Sequence, residues 1–296
     1  MRHMFNTFNK EADPMNASST SSSKTFLITG VSSGFGRAFA RAALADGHTV
    51  IGTVRNEAAA REFVALDAAR AHAVVLDVTA FDEIEPCVEH IEREHGPIDV
   101  LVNNAGYGHE GILEESPLDA MRRQFDVNVF GAVAITKAVL PAMRQRRSGH
   151  IVNITSMGGT ITMPGIAYYC GSKFALEGIT DVLAQEVAGF GINVTAVAPG
   201  SFRTDWAGRS MVRSERSIAD YDALFEPVRA AREAKSGKQA GDPDKAARAL
   251  LTVIDAPNPP VHLLLGSDAL TLVRSGLAKR EAEIAQWESL TRSTDF

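Results

Sequence analysis

Cysteine is nearly absent: Cys87 and Cys170 are the only two in 296 residues. Two cysteines build neither a disulfide framework nor a cysteine-based zinc site, and they suit a reducing compartment, so a cytoplasmic location is expected. No run approaches 18 consecutive apolar residues, so the sequence predicts no membrane span. Excess positive charge is missing as well. Thirty Lys and Arg stand against 36 Asp and Glu, a formal net charge of −6, which argues against wholesale binding of a nucleic-acid backbone. The one basic cluster, Arg144, Arg146 and Arg147, reads as a helix end whose cations complement the dipole before Gly149. No group of His, Cys and Asp has metal-ligand spacing, so no metal is expected. Residues 1–23 lack the apolar core of a signal peptide. Their Ser and Thr run from Ser18 to Ser23 reads as a flexible tail.

What is present is an ordinary globular composition, 45% hydrophobic and 22% charged, in a chain long enough for one large α/β domain over residues 24–296. Short runs rich in Val and Ile at 25–29, 48–54, 73–76, 99–103, 150–155 and 192–197 are apolar on both faces, as in parallel strands covered by helices. Helical stretches lie between them, the first closed by Gly47 at a C′ position. This alternation predicts a doubly wound parallel sheet with helices on both faces. Pro86 and Pro141 fall inside helical stretches and predict kinks or late helix starts. Residues 205–241 contain no convincing strand and carry scattered large apolar residues, including Trp206, Met211, Tyr221 and Phe225; they read as a substrate lid. A helix over 244–254, a strand at 261–265 and a final helix over 267–290 complete the chain.

Chemistry concentrates at the carboxyl ends of these strands, where ligands bind in open parallel sheets. The run Thr29-Gly30-Val31-Ser32-Ser33-Gly34-Phe35-Gly36 follows a strand and opens a helix. Its glycines let backbone N–H groups approach a pyrophosphate. The second strand ends in Val54-Arg55, with no acid to hold the ribose hydroxyls of NAD and an arginine suited to a 2′-phosphate. That pairing favours NADP(H) over NAD(H). Asp77-Val78, Asn104-Ala105-Gly106, Ser156 and Pro199-Gly200 stand at further strand ends. Tyr169 and Lys173 are one helical turn apart on one face, so a lysine cation can favour the phenolate of an acid/base tyrosine. Tyr168 has Ser172 in that place instead. Ser156, 13 residues earlier, offers a hydroxyl to a substrate oxygen.

In this order, the glycine turn, Asn103-Asn104-Ala105-Gly106, Ser156, Tyr169-x-x-x-Lys173 and Pro199-Gly200 resemble the short-chain dehydrogenase/reductase family over about Thr25 to Thr204. The resemblance implies a Rossmann-type fold of about seven strands. It assigns Asn128, in Val-Asn-Val-Phe-Gly, to a water in a proton relay, and Lys173 to the nicotinamide ribose as well as Tyr169. It places Asp77 near the adenine and Thr204, in Pro-Gly-Ser-Phe202-Arg-Thr, near the carboxamide. The activity implied is interconversion of an alcohol with a ketone or aldehyde by hydride transfer, on a fairly apolar small molecule; a homo-oligomer is allowed. Two other readings stand beside it: a non-enzymatic dinucleotide sensor or scaffold, and an epimerase or dehydratase on a related fold. His109 and Glu110 read as a surface loop, and Cys170 as a small packing residue.

Overall fold

The apolar runs pair side by side in the computed structural model, which describes residues 23–296. The elements follow in the order β1 (Thr25–Ile28), α1 (Gly34–Ala45), β2 (Thr49–Val54), α2 (Glu57–Val64), β3 (Ala71–Val75), α3 (Phe81–His95), β4 (Val100–Asn103), β5 (Gly108–Glu110), α4 (Leu118–Phe125), α5 (Ala132–Arg146), β6 (Gly149–Ile154), α6 (Ala167–Val187), β7 (Ile192–Pro199), β8 (Met211–Arg213), α7 (Asp222–Ala234), α8 (Pro243–Ile254), β9 (His262–Leu265) and α9 (Ser267–Arg292). Seven strands form one sheet in the order β3-β2-β1-β4-β6-β7-β9, and every pairing in it is parallel. This is the expected Rossmann-type doubly wound sheet.

Strand alternation explains its two covers. Phe26, Ile28, Val100 and Val102 point to the face packed by Phe39 of α1 and Leu250 of α8. Their chain neighbours Leu27 and Leu101 point to the other face, against Ile84 and Val88 of α3, Val139 of α5 and Leu183 of α6. The strand order reverses between β1 and β4, both centred in the sheet. Loops leaving those two strands must part there, and the crevice between them is where such sheets take ligands.

Several local expectations change. Pro86 lies inside α3 and Pro141 inside α5; a π-helical turn over Asp126–Gly131 joins α4 to α5. Segment 205–241 does contain a strand: β8 pairs in parallel with β5, Gly108 opposite Met211 and Glu110 opposite Arg213. Three residues are too few to show an alternation in sequence. The same pairing overturns the surface-loop reading of His109 and Glu110, which are 1% and 2% exposed. Arg144 and Arg146 do end α5, and Arg147 closes it in the left-handed region at φ 57°. The continuous helical run Leu118–Arg146 has the length and composition to cross a membrane, but its Ile135, Val139 and Met143 are core residues under the sheet. Apart from Ser23, the tail expected over residues 1–23 lies outside the described residues.

Candidate active site

The glycine turn leaves β1 at the reversal of strand order. Gly30 and Gly34 have φ of 71° and 55°, the left-handed region that disfavours a side chain. A Cβ on Gly36 would meet Asn104 Nδ2 and Gly30 O at 2.4 Å each, so only glycine lets α1 start this close to the neighbouring loop. Thr29 Oγ1 accepts from the backbone N–H groups of Asn104 and Ala105 at 2.9 and 2.8 Å, and Asn104 Nδ2 donates to Thr29 O at 2.8 Å. The loops after β1 and β4 are thereby fixed to each other. At the head of α1, Ser33 makes no side-chain cap and the first turn holds no acid. These uncapped N–H groups and the bare dipole suit a pyrophosphate, so the residues present fit a dinucleotide.

The other expected cofactor residues gather along the same edge. Gly34 faces Thr204, whose Cβ would lie 3.7 Å from a side chain at that glycine. Asp77 Oδ1 accepts from the N–H and hydroxyl of Thr79 at 2.9 and 2.8 Å. Those bonds, and more weakly the charge of Arg55, hold its carboxyl below the usual range. Arg55 itself is exposed beside the end of β2. Val78 is buried with its carbonyl against Gly131. Phe35 and Phe202 pack against each other as a tilted pair, ring centres 5.1 Å apart at 59°. The Pro199–Gly200 turn closes against α9. Gly200 donates its N–H to Leu265 O, Ser201 donates to Asp268 Oδ2, and a Cβ on Gly200 would sit 2.2 Å from Asp268 Oδ1.

The four expected catalytic side chains converge past the ends of β4 and β6. Ser156 Oγ accepts from Gly158 N at 3.0 Å, capping a short turn, and that bond leaves its proton available to donate. Gly158 stands between Ser156 Oγ and Tyr169 Cε1, and a Cβ there would contact both at 3.3 and 3.5 Å. Tyr169 is 7% exposed. Burial pushes its phenol up to about 12, with Ser156 and Trp206 pulling the other way. The lowering expected from a lysine cation together with a positive nicotinamide is not met by the protein's own groups, among which Lys173 is no resolved cause. Lys173 Nζ donates instead to Ile154 O at 2.8 Å and lies 5.8 Å from the Tyr169 ring centre, so desolvation outweighs it. Lys173 is itself pushed down to about 8 by burial, with the Glu177 carboxylate opposing. Asn128, in the π-helical turn, clamps the backbone of Tyr107. Its Oδ1 accepts from Tyr107 N, and its Nδ2 donates to Tyr107 O and Ser172 Oγ, all at 3.1 Å. A Cβ on Gly106 would lie 3.0 Å from Asn128 Oδ1 and 3.7 Å from Lys173 Nζ. Tyr168 is occupied elsewhere, donating its hydroxyl to Ser116 O at 2.7 Å.

Two supports were not singled out from the sequence. Thr29 opens the quoted glycine run, yet only the fold shows it gripping the β4 loop. Asn153 links β4 and β6 to α6: it accepts from Asn103 Nδ2 at 2.8 Å and donates to Thr180 Oγ1 at 2.9 Å. Its signal was a polar residue inside an apolar strand. Over the site, Trp206 packs with Tyr169, Ile166 and Cys170. Its segment is fastened by Glu110, which meets Arg213 Nε at 3.1 Å and also pairs with Arg232. Among the described residues no three His, Cys, Asp or Glu converge as a metal site.

Known proteins share this arrangement. The model of the short chain dehydrogenase family matches residues 24–213. Oxidoreductase BOA17 of Botryotinia fuckeliana is 39% identical over 90% of this chain and 98% of its own length. The 3-ketodihydrosphingosine reductase of Bacteroides thetaiotaomicron is 37% identical over 81% and 87%. A short-chain dehydrogenase crystal structure from Streptomyces avermitilis superposes with a TM-score of 0.87 at 42% identity, covering 93% of this chain and all of that one. A second, from Burkholderia phymatum in complex with NAD, gives 0.73 at 25% identity, covering 85% and 92%. The chain belongs to the short-chain dehydrogenase/reductase family, whose members are oxidoreductases on a nicotinamide-dinucleotide fold.

Proposed function

We propose that this protein interconverts an alcohol with a ketone or aldehyde, using NADP(H) and Tyr169 as the acid/base. The observation that carries the reading is the convergence of Ser156 and Tyr169 across Gly158, with Lys173 one helical turn behind. When bound, the dinucleotide supplies or takes the hydride. The head of α1 and the glycine turn would hold its phosphates, with Asp77 assigned to the adenine, Thr204 to the carboxamide and Lys173 to the ribose hydroxyls. Arg55, with Val54 in place of an acid, supports the phosphorylated cofactor.

For reduction, a buried phenol with its pKa near 12 stands protonated at neutral pH and can give its proton to the carbonyl oxygen. Ser156 donates to the same oxygen as charge develops there. Lys173 keeps a cation near the phenolate that is left. Asn128 holds the β4 loop in place and stands in line for proton resupply through water.

Residues 205–241 act as the cover of the substrate pocket, and their apolar face suits an apolar substrate. The sphingoid-base relative, named for a ketone reduction, agrees with that class. The test is nicotinamide absorbance with both cofactors against a panel of apolar ketones, aldehydes and alcohols. Turnover with NADPH or NADP is expected. Tight cofactor binding without turnover on any of them would favour the non-enzymatic sensor instead.

A further inference from the structure

The indole of Trp206 is half-buried, but its Nε1 is fully buried and has no hydrogen-bond partner. Buried N–H groups are almost always paired, so an orphan asks for an explanation. Three features fix where this one points. Thr204, at the cofactor edge, caps the turn that carries Trp206, accepting from its backbone N at 3.4 Å. Gly108 has no side chain where one would press 3.0 Å from Trp206 Cε2, so the five-membered side of the indole lies close over β5. The ring stands 5.0 Å from that of Tyr169 at 56°, an edge-on approach rather than a stack. The indole favours the charged form of Tyr169, as Ser156 does, while its N–H keeps no hydrogen-bond partner. Ser156, Tyr169 and Trp206 therefore bring three proton-bearing groups to one corner of the site.

We infer that Trp206 is a further catalytic residue: its indole N–H donates to the substrate oxygen that Ser156 and Tyr169 also address. A third donor to the oxygen, which carries alkoxide character in the transition state of either direction, acts mainly there. Its place on the cover segment gives that segment a part in the chemistry, because the donor set is complete only with the cover seated. The inference rests on the assignment of Tyr169 as acid/base.

The experiment compares steady-state kinetics of the parent, Trp206→Phe and Tyr169→Phe with NADPH and a ketone found in the panel above. Trp206→Phe keeps an aromatic ring and removes the N–H. The expected result is a fall in kcat of about 10²-fold with little change in KM, together with a shifted pH profile. NADPH binding and the thermal midpoint report whether the variant is folded. If it is not, replacing Trp206 with 3-benzothienylalanine puts sulfur for N–H in the same ring shape, and the same loss is expected. Parental kcat and pH profile in either folded variant, with Tyr169→Phe inactive, overturns the inference alone. A shifted pH profile with parental kcat overturns it too, since the indole would then tune Tyr169 without touching substrate. An active Tyr169→Phe overturns the acid/base assignment on which it rests.

Discussion

Lys173 gives its ammonium to the carbonyl oxygen of Ile154 at 2.8 Å, the last residue of β6, two positions before Ser156. The bond ties the turn that presents Ser156 to the helix that presents Tyr169. The cation is thus a strut between the two elements that carry Ser156 and Tyr169.

Tyr169→Phe removes one oxygen and leaves the ring packing, so fold and NADPH binding should survive. Turnover should fall by at least about 10²–10⁴-fold, the share general acid/base catalysis supplies. Tyr168→Phe should leave kcat nearly unchanged, because its hydroxyl is spent on Ser116 O. Its cost should appear as stability, about 1 kcal/mol for one buried hydrogen bond. Kinetics and urea denaturation of both variants check this; an inactive Tyr168→Phe beside an active Tyr169→Phe would reverse the assignment.

Lys173, pushed down to about 8, should give the reductive rate an upper pH limb near that value. Lys173→Arg keeps a cation across the accessible range, so in that variant the limb should move to higher pH. Lys173→Ala should lower kcat and weaken NADPH binding together. A limb that stays in place in Lys173→Arg assigns it to another group.

The proposed preference for NADPH rests on Arg55. Arg55→Ala should weaken NADPH by about 1.5–3 kcal/mol, the worth of a charge-assisted hydrogen bond, and leave NADH almost untouched. Titration calorimetry with both cofactors measures it. Equal affinities for the two in the parent protein would remove the basis for the preference.

The cover segment hangs on Glu110, 2% exposed and paired with Arg213 and Arg232. Glu110→Gln removes one carboxylate from Arg213, which also meets Glu233 at 3.8 Å, and one from Arg232. It should cost about 1.5–3 kcal/mol on denaturation and raise KM for apolar substrates while NADPH affinity holds. Equal losses in KM and NADPH affinity would show that the site as a whole had been disturbed.

Acid sensitivity should trace in part to His150. Burial pushes it down to about 4, and its ring bonds Thr195 Oγ1 at 2.9 Å. Below about pH 6.5 the unfolded chain takes up the proton first, so stability should fall as pH drops from there towards about 4. The slope from this one group is at most about 1.4 kcal/mol per pH unit. It should flatten in His150→Gln, followed by urea midpoints across that range.

The sheet was legible because its strands carry apolar side chains on both faces, and residues such as Leu27 and Phe26 announce burial in opposite directions. The glycine turn and the Tyr169–Lys173 pair were legible because their chemistry needs fixed spacing along the chain. What stayed hidden was contact between distant segments. The three residues of β8 carry no pattern until β5 supplies a partner, so His109 and Glu110 looked like loop. The pKa of Tyr169 was misjudged for a related reason: helical spacing fixes which side chains share a face, whereas desolvation depends on everything packed above it, Trp206 included.

The closure of Gly200 onto Asp268 ties the turn after β7 to a part of the chain made 68 residues later. Domains begin to fold from the N-terminus as they emerge. The glycine turn, Ser156 and Tyr169 are all available while Asp268 and β9 are still unmade. Until they arrive, the turn after β7 lacks both the strand that accepts from Gly200 and the carboxylate that accepts from Ser201. That turn is therefore finished after the rest of the candidate site, when β9 and α9 dock.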